Sequence, residues 1–357
     1  MQFSLWMACL LGRWRNTGLK LRVAIIDHRE KAKEPMAPKI IVVCPSSNVV
    51  PIAEGMTPTG FETIIAAQDD PKIDEHLADA SYFVCYPNVD VGPKFHAKAS
   101  KLRLLQLLSA GYDAIDLDAA RAANVPVCNN GGANAISVSE HAMMLMLTVA
   151  RRVVWQHGNV TGGRWRGNGP APRMYELSGK TLGIIGLGNI GKKTARLAKA
   201  FGMNVIYYDI KRLSEDEADQ AGVKFRVLRE LLRESDVISL HTPLNDSTRH
   251  MIGKAELEEM KSEAILVNTA RGPVIDEKAL CDHLSAGKIF GAGLDVFDQE
   301  PPQAGNPLFK LDNVVLTAHF AGPTWDNHSA RFRNAFDNIL RVERGEEALW
   351  IVPELLD

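Results

Sequence analysis

Short runs rich in β-branched and other apolar residues recur along the chain, each followed by a longer stretch with helical spacing. The early runs lie at residues 40–43, 61–65, 82–85 and 104–108. A second series lies at 181–185, 205–208, 237–240, 265–268, 292–296 and 314–317. Strands alternating with helices in this way predict βαβ units, and so an α/β fold of mostly parallel sheets covered by helices on both faces. Six runs in the second series are enough for one doubly wound sheet. Between the two series, residues 134–154 are long and apolar enough for one substantial helix, and a connection rich in Gly and Arg follows over 158–173.

The second series opens with GIIGLGNIGKK, which places Gly186, Gly188 and Gly191 in the pattern G-x-G-x-x-G directly after an apolar run. The first glycine allows the tight turn, the second lets backbone approach a pyrophosphate, and the third lets helix pack on strand. A helix from about Ile190 that stops at Gly202 would turn its free N–H groups and positive dipole end toward the phosphates. The next strand ends in Asp209, whose carboxylate suits the adenosine ribose hydroxyls and repels a 2'-phosphate. The expected cofactor is therefore NAD, with NADP left open because Lys211 and Arg212 lie beside Asp209.

Length and composition limit the alternatives. The 357 residues exceed what one core usually serves and indicate two domains. A formal charge of -2 and 46% hydrophobic residues describe an ordinary globular protein and exclude a polyanion binder, so neither nucleic acid nor membrane is an expected partner. The five cysteines are scattered with no C-x-x-C pair, which suits a reducing cytoplasm and no structural metal. Residues 1–37 differ from the rest. Their apolar run precedes its positive charges and is too short to cross a bilayer, so an unstructured extension or an upstream start is expected there.

Ligands of open α/β sheets bind outside the carboxyl ends of the strands, which directs attention to polar residues just after them. Three stand out: Arg271 in NTARG, Glu300 in DVFDQEPP and His319 in TAHFAG. Hydride addition to a 2-oxo acid leaves an oxygen that needs a proton, and an imidazole exchanges protons near neutral pH. His319 is the candidate acid/base, with Glu300 to orient the ring and favour its charged form. Arg271 can hold the substrate carboxylate in a forked pair while polarising the carbonyl.

GLGNIG, NTARG, the stretch from Asp295 to Pro301 and TAHFAG together resemble the D-isomer-specific 2-hydroxyacid dehydrogenases, from about residue 38 to about 344. The resemblance implies two Rossmann-like domains with a cleft between them. Residues 132–322 would bind the dinucleotide, inserted into a substrate-binding domain of 38–131 and 323–357. It implies catalytic roles for Arg271, Glu300 and His319, and Glu300 speaks against the formate dehydrogenase branch, which has glutamine there. It implies that backbone N–H groups of Ser109, Ala110 and Gly111 hold the substrate carboxylate, as a nest of small residues can. It also implies that Asn189, Ile190, Thr242, Pro243, Thr269, Ala270 and Asp295 line the cofactor. One departure is Ala318 before His319, where the family has proline. A homodimer through the region of residues 137–154 is implied as well, although Met143, Met144 and Met146 at helical spacing suit a core equally. The expected partner is a small-molecule 2-oxo or 2-hydroxy acid, of glyoxylate or hydroxypyruvate type, with a bulkier 2-oxo acid left open. The chain is expected to lack a regulatory C-terminal domain. A second reading, a nicotinamide-responsive corepressor-like interaction protein on the same fold, uses the same site.

Overall fold

The computed structural model describes residues 37–356, so the expected N-terminal extension lies outside the described residues apart from Ala37. Two sheets, parallel throughout, carry the fold. The first contains β1 (Lys39–Cys44), β2 (Glu62–Ala67), β3 (Ala80–Cys85), β4 (Leu104–Leu107) and β5 (Val127–Cys128) in the order 2-1-3-4-5. The second contains β6 (Thr181–Ile185), β7 (Asn204–Tyr208), β8 (Lys224–Phe225), β9 (Val237–Leu240), β10 (Ile265–Asn268), β11 (Gly291–Leu294) and β12 (Val314–Leu316). Its order, 12-11-10-9-6-7-8, reverses direction between β6 and β9. Both orders are doubly wound, and each places its ligand crevice at the strand ends beside the reversal.

The alternation of side chains along each strand fills two cores per sheet. In β1, Ile41 and Val43 join Phe83, Leu105 and Val127 on one face, while Ile40, Val42 and Cys44 join Tyr82 and Leu104 on the other. That second face is covered by Phe332, Ala335, Phe336 and Ile339 of the helix Asn327–Glu343. The chain therefore returns to its first sheet after completing the second. On the seven-stranded sheet, the helix Ala135–Ala150 contributes Met143, Leu145, Met146 and Val149 to the core around Leu182, Ile184 and Val267. Two of the three methionines are thus core, and Met144 alone is exposed.

Three expectations need correction. The single helix over 134–154 is two, Ala135–Ala150 and Val153–Thr161, broken at Arg152, whose φ is 51°. The cause lies elsewhere in the chain: Tyr175 N donates to Ala150 O, and the Arg152 guanidinium lies 4.2 Å from the Phe290 ring and donates to the Phe290 carbonyl. The Gly- and Arg-rich connection is correspondingly shorter, because its first residues finish that second helix. Finally, the two-residue strands β5 and β8 escape a reading based on apolar runs, and β8 makes the second sheet seven-stranded rather than six.

Candidate active site

The fingerprint builds the turn its spacing requires. Gly186 has φ 94°, and a Cβ there would lie 2.7 Å from His241 O, so backbone of the turn rests directly on the loop after β9. A Cβ on Gly191 would lie 2.2 Å from Gly186 O, which fixes how closely the helix Asn189–Ala200 approaches the turn. A Cβ on Gly188 would meet no atom within 4 Å, and this N-cap residue has no side chain to bond the first N–H groups of the helix. An anion is their natural partner. Asp209 closes the other side, accepting from Leu187 N at 2.6 Å and from Lys211 N at 2.8 Å. The same turn packs on Thr242, and Thr248 Oγ1 donates to Pro243 O at 2.7 Å. At the end of β10, Thr269 Oγ1 is buried without a hydrogen-bond partner in the protein, as a hydroxyl awaiting a ligand atom would be. These residues fit a dinucleotide.

Arg271, Glu300 and His319 come from the loops after β10, β11 and β12 and meet in space. His319 Nδ1 lies 2.6 Å from Glu300 Oε2, and Glu300 Oε1 accepts from Phe297 N at 3.0 Å. Burial pushes the Glu300 carboxyl up, but the bonds from His319 and Phe297 and the positive charges of His319 and Arg271 outweigh it. Its pKa is lowered, so the group is charged near neutral pH. With Nδ1 committed to Glu300, His319 Nε2 makes no hydrogen bond among the described residues. His319 also has φ 57°, a conformation uncommon for residues other than glycine. It is held there by its own N–H, which donates to Asp295 O at 2.7 Å.

Arg271 reaches the first sheet. A Cβ on Gly111 would lie 1.6 Å from Arg271 Nη2, so only glycine lets the guanidinium pack on the loop after β4. Its Nε donates to both carboxylate oxygens of Asp113, at 2.9 and 3.1 Å. Ser109 Oγ donates to Gly111 O at 2.7 Å and closes the loop, with Ala110 between them. The expected substrate loop and the expected carboxylate-binding arginine are therefore neighbours.

Asn268, Asp113, Thr317 and His141 escape a reading of the sequence, and Asp295, expected along the cofactor, has a second role in the protein. Asn268 shapes the turn before Arg271 by accepting from Ala270 N and donating to Arg271 O, both at 2.9 Å. Asp295 is fully buried, and its carboxylate accepts from Thr317 Oγ1, Phe320 N and Ala321 N at 2.6 to 3.0 Å. In the protein alone it thus holds the loop that presents His319. His141 Nε2, on the helix Ala135–Ala150, completes the set 2.9 Å from Thr317 Oγ1. Asn268 stood inside the motif NTARG, a usable signal. Asp113, Thr317 and His141 gave none, because their partners are distant in sequence.

A doubly wound sheet with a dinucleotide turn, beside a carboxylate-oriented histidine and an arginine at three strand ends, defines a dinucleotide-linked oxidoreductase of a small anion. Residues 143–321 match the family model described as D-isomer specific 2-hydroxyacid dehydrogenase, NAD binding domain. The chain is 41% identical over 274 residues to a glyoxylate reductase of Korarchaeum cryptofilum, covering 76% of this chain and 82% of that one. It is 42% identical over 261 residues to a hydroxypyruvate reductase of Thermotoga maritima, covering 70% and 83%. Among solved structures, D-lactate dehydrogenase from Aquifex aeolicus complexed with NAD and lactic acid superposes with a TM-score of 0.73 at 28% identity, covering 86% of this chain and 96% of that one. The protein belongs to the D-isomer-specific 2-hydroxyacid dehydrogenase family. It is an NAD(P)-dependent enzyme of 2-oxo and 2-hydroxy acids, and these relatives give the corepressor-like alternative no support.

His241, in the loop after β9, makes stability depend on pH. Burial pushes its imidazole down to about 4, and Nδ1 is buried without a partner. In the unfolded chain the ring takes its proton near pH ~6.5, so between there and about 4 the unfolded state binds more protons and stability falls as pH falls. The melting temperature should drop across that window, and His241→Gln should flatten the drop. Thermal melts of both proteins over the range check this; superimposable profiles would contradict it.

Proposed function

We propose that the enzyme reduces a small 2-oxo acid of glyoxylate or hydroxypyruvate size to the D-2-hydroxy acid with NADH as its preferred cofactor. The observation that carries this reading is the meeting of Arg271 with Gly111 at the loop after β4, next to the His319–Glu300 pair. In this reading Arg271 and the N–H groups of Ser109, Ala110 and Gly111 bind the substrate carboxylate, and Arg271 polarises the carbonyl. His319 Nε2 gives the proton to the oxygen that becomes the hydroxyl, while Glu300 keeps the ring in place and stabilises its positive charge. When bound, the nicotinamide supplies the hydride. Asp209 reads the ribose hydroxyls, Thr269 Oγ1 offers a hydrogen bond to the bound cofactor, and Thr242, Pro243, Asn189, Ile190, Ala270 and Asp295 line its path. The names of the two reductases above support the size of the substrate.

Residues 132–322 serve as the dinucleotide-binding domain, and 38–131 with 323–357 as the substrate-binding domain. The packing of the helices Ala135–Ala150 and Asn327–Glu343 on different sheets supports this division. The enzyme works in the cytoplasm as a homodimer. Its cysteines are free wherever they are described, and Val153, Val154, Val160 and Trp165 are exposed along and just beyond the helix Val153–Thr161. Apolar side chains gathered in this way mark an interface.

Oxidation of NADH and of NADPH, followed by absorbance against glyoxylate, hydroxypyruvate, pyruvate and phenylpyruvate, tests the chemistry. The wild type should prefer NADH, and Asp209→Ala should relax that preference. His319→Gln should lose about 10² to 10⁴ in rate while NADH binding survives. No turnover of any substrate, or full activity in the histidine variant, would refute the reading. For the assembly, sedimentation should give a dimer for the wild type and a monomer for Val154→Asp; a monomeric wild type would contradict the dimer.

A further inference from the structure

We propose that Asp113 is a positioning residue for the reaction, fixing the Arg271 guanidinium so that one edge of it is presented to the substrate carboxylate. The proposal rests on the reading of Arg271 given above and extends it to a residue on the other sheet. Three of the guanidinium's constraints are visible. Nε donates to both oxygens of Asp113, one N–H of Nη1 donates to Ala270 O at 2.7 Å, and Nη2 lies against Gly111. Nη2 makes no hydrogen bond among the described residues, and its N–H groups are left to take a carboxylate oxygen. Asp113 holds the opposite side.

Stability alone does not account for the pair. The side chains are 26% and 38% exposed, and ion pairs in contact with water contribute little to folding. Asp113 makes no other side-chain hydrogen bond among the described residues, whereas Asp116, three positions on, caps the following short helix through Ala119 N. An anion beside a group meant to bind an anion also opposes binding electrostatically. Its presence is therefore explained by geometry: a long, flexible arginine side chain is restricted before the substrate arrives, and the restriction need not be made at the moment of binding.

Steady-state reduction of glyoxylate and hydroxypyruvate by Asp113→Ala and Asp113→Asn, with oxalate as a competing carboxylate, tests the proposal. Asp113→Ala should raise KM and the oxalate inhibition constant together by about 10- to 100-fold, with NADH affinity and melting temperature close to wild type. Asp113→Asn keeps an oxygen acceptor for Nε and should stay near wild type in all of these. An unchanged KM in Asp113→Ala, or equal losses in the two variants, overturns the proposal while leaving the reaction itself intact. A wild type that neither turns over a 2-oxo acid nor binds oxalate overturns the reading of the site and this proposal with it.

Discussion

The contact between Arg271 and the loop after β4 is the constraint on which the proposed site depends. Parallel strands collect their carboxyl ends along one edge, so each sheet can offer loops to a ligand from that edge only. The seven-stranded sheet offers the glycine turn, Arg271, Glu300 and His319; the five-stranded sheet offers Ser109 to Asp113. In the proposed reaction the substrate needs both sets. Gly111 permits the two to touch because any Cβ would occupy the position of Arg271 Nη2.

Around that contact the protein accepts locally unfavourable features and offsets them with bonds. His319 holds a left-handed backbone angle, and its N–H is tied to Asp295 O. Asp295 is a carboxylate buried from water, an arrangement tolerated only when its oxygens are fully bonded, and Thr317, Phe320 and Ala321 do this. The result is a histidine whose ring is set from one side by Glu300 and whose backbone is set from the other by Asp295. Ala318, where the family has proline, costs the loop one rigid residue, and the Asp295 bonds hold the loop in its place.

Much of this was legible in the sequence, for a physical reason. Strands covered on both faces need unbroken β-branched runs, so ten of the strands stood out, as did the glycine turn and the polar residues that follow β10, β11 and β12. What was hidden depends on partners far along the chain. The break at Arg152 follows from Phe290 and Tyr175, and Asp113 acquires its meaning from an arginine 158 positions away. The strands β5 and β8 are two residues each, too short to show a pattern, and exist because a neighbouring strand offers its edge. The role of His141 rests on a hydrogen bond that no spacing rule predicts.

In the proposed reaction the two sheets hold substrate and cofactor in one fixed relative orientation, with the carboxylate at Arg271 and Gly111 and the proton at His319. A fixed orientation adds the hydride to one face of the carbonyl only. Chiral chromatography of the product formed from hydroxypyruvate and NADH measures this directly. D-glycerate alone is the expected product; L-glycerate or a racemic product would contradict a fixed orientation.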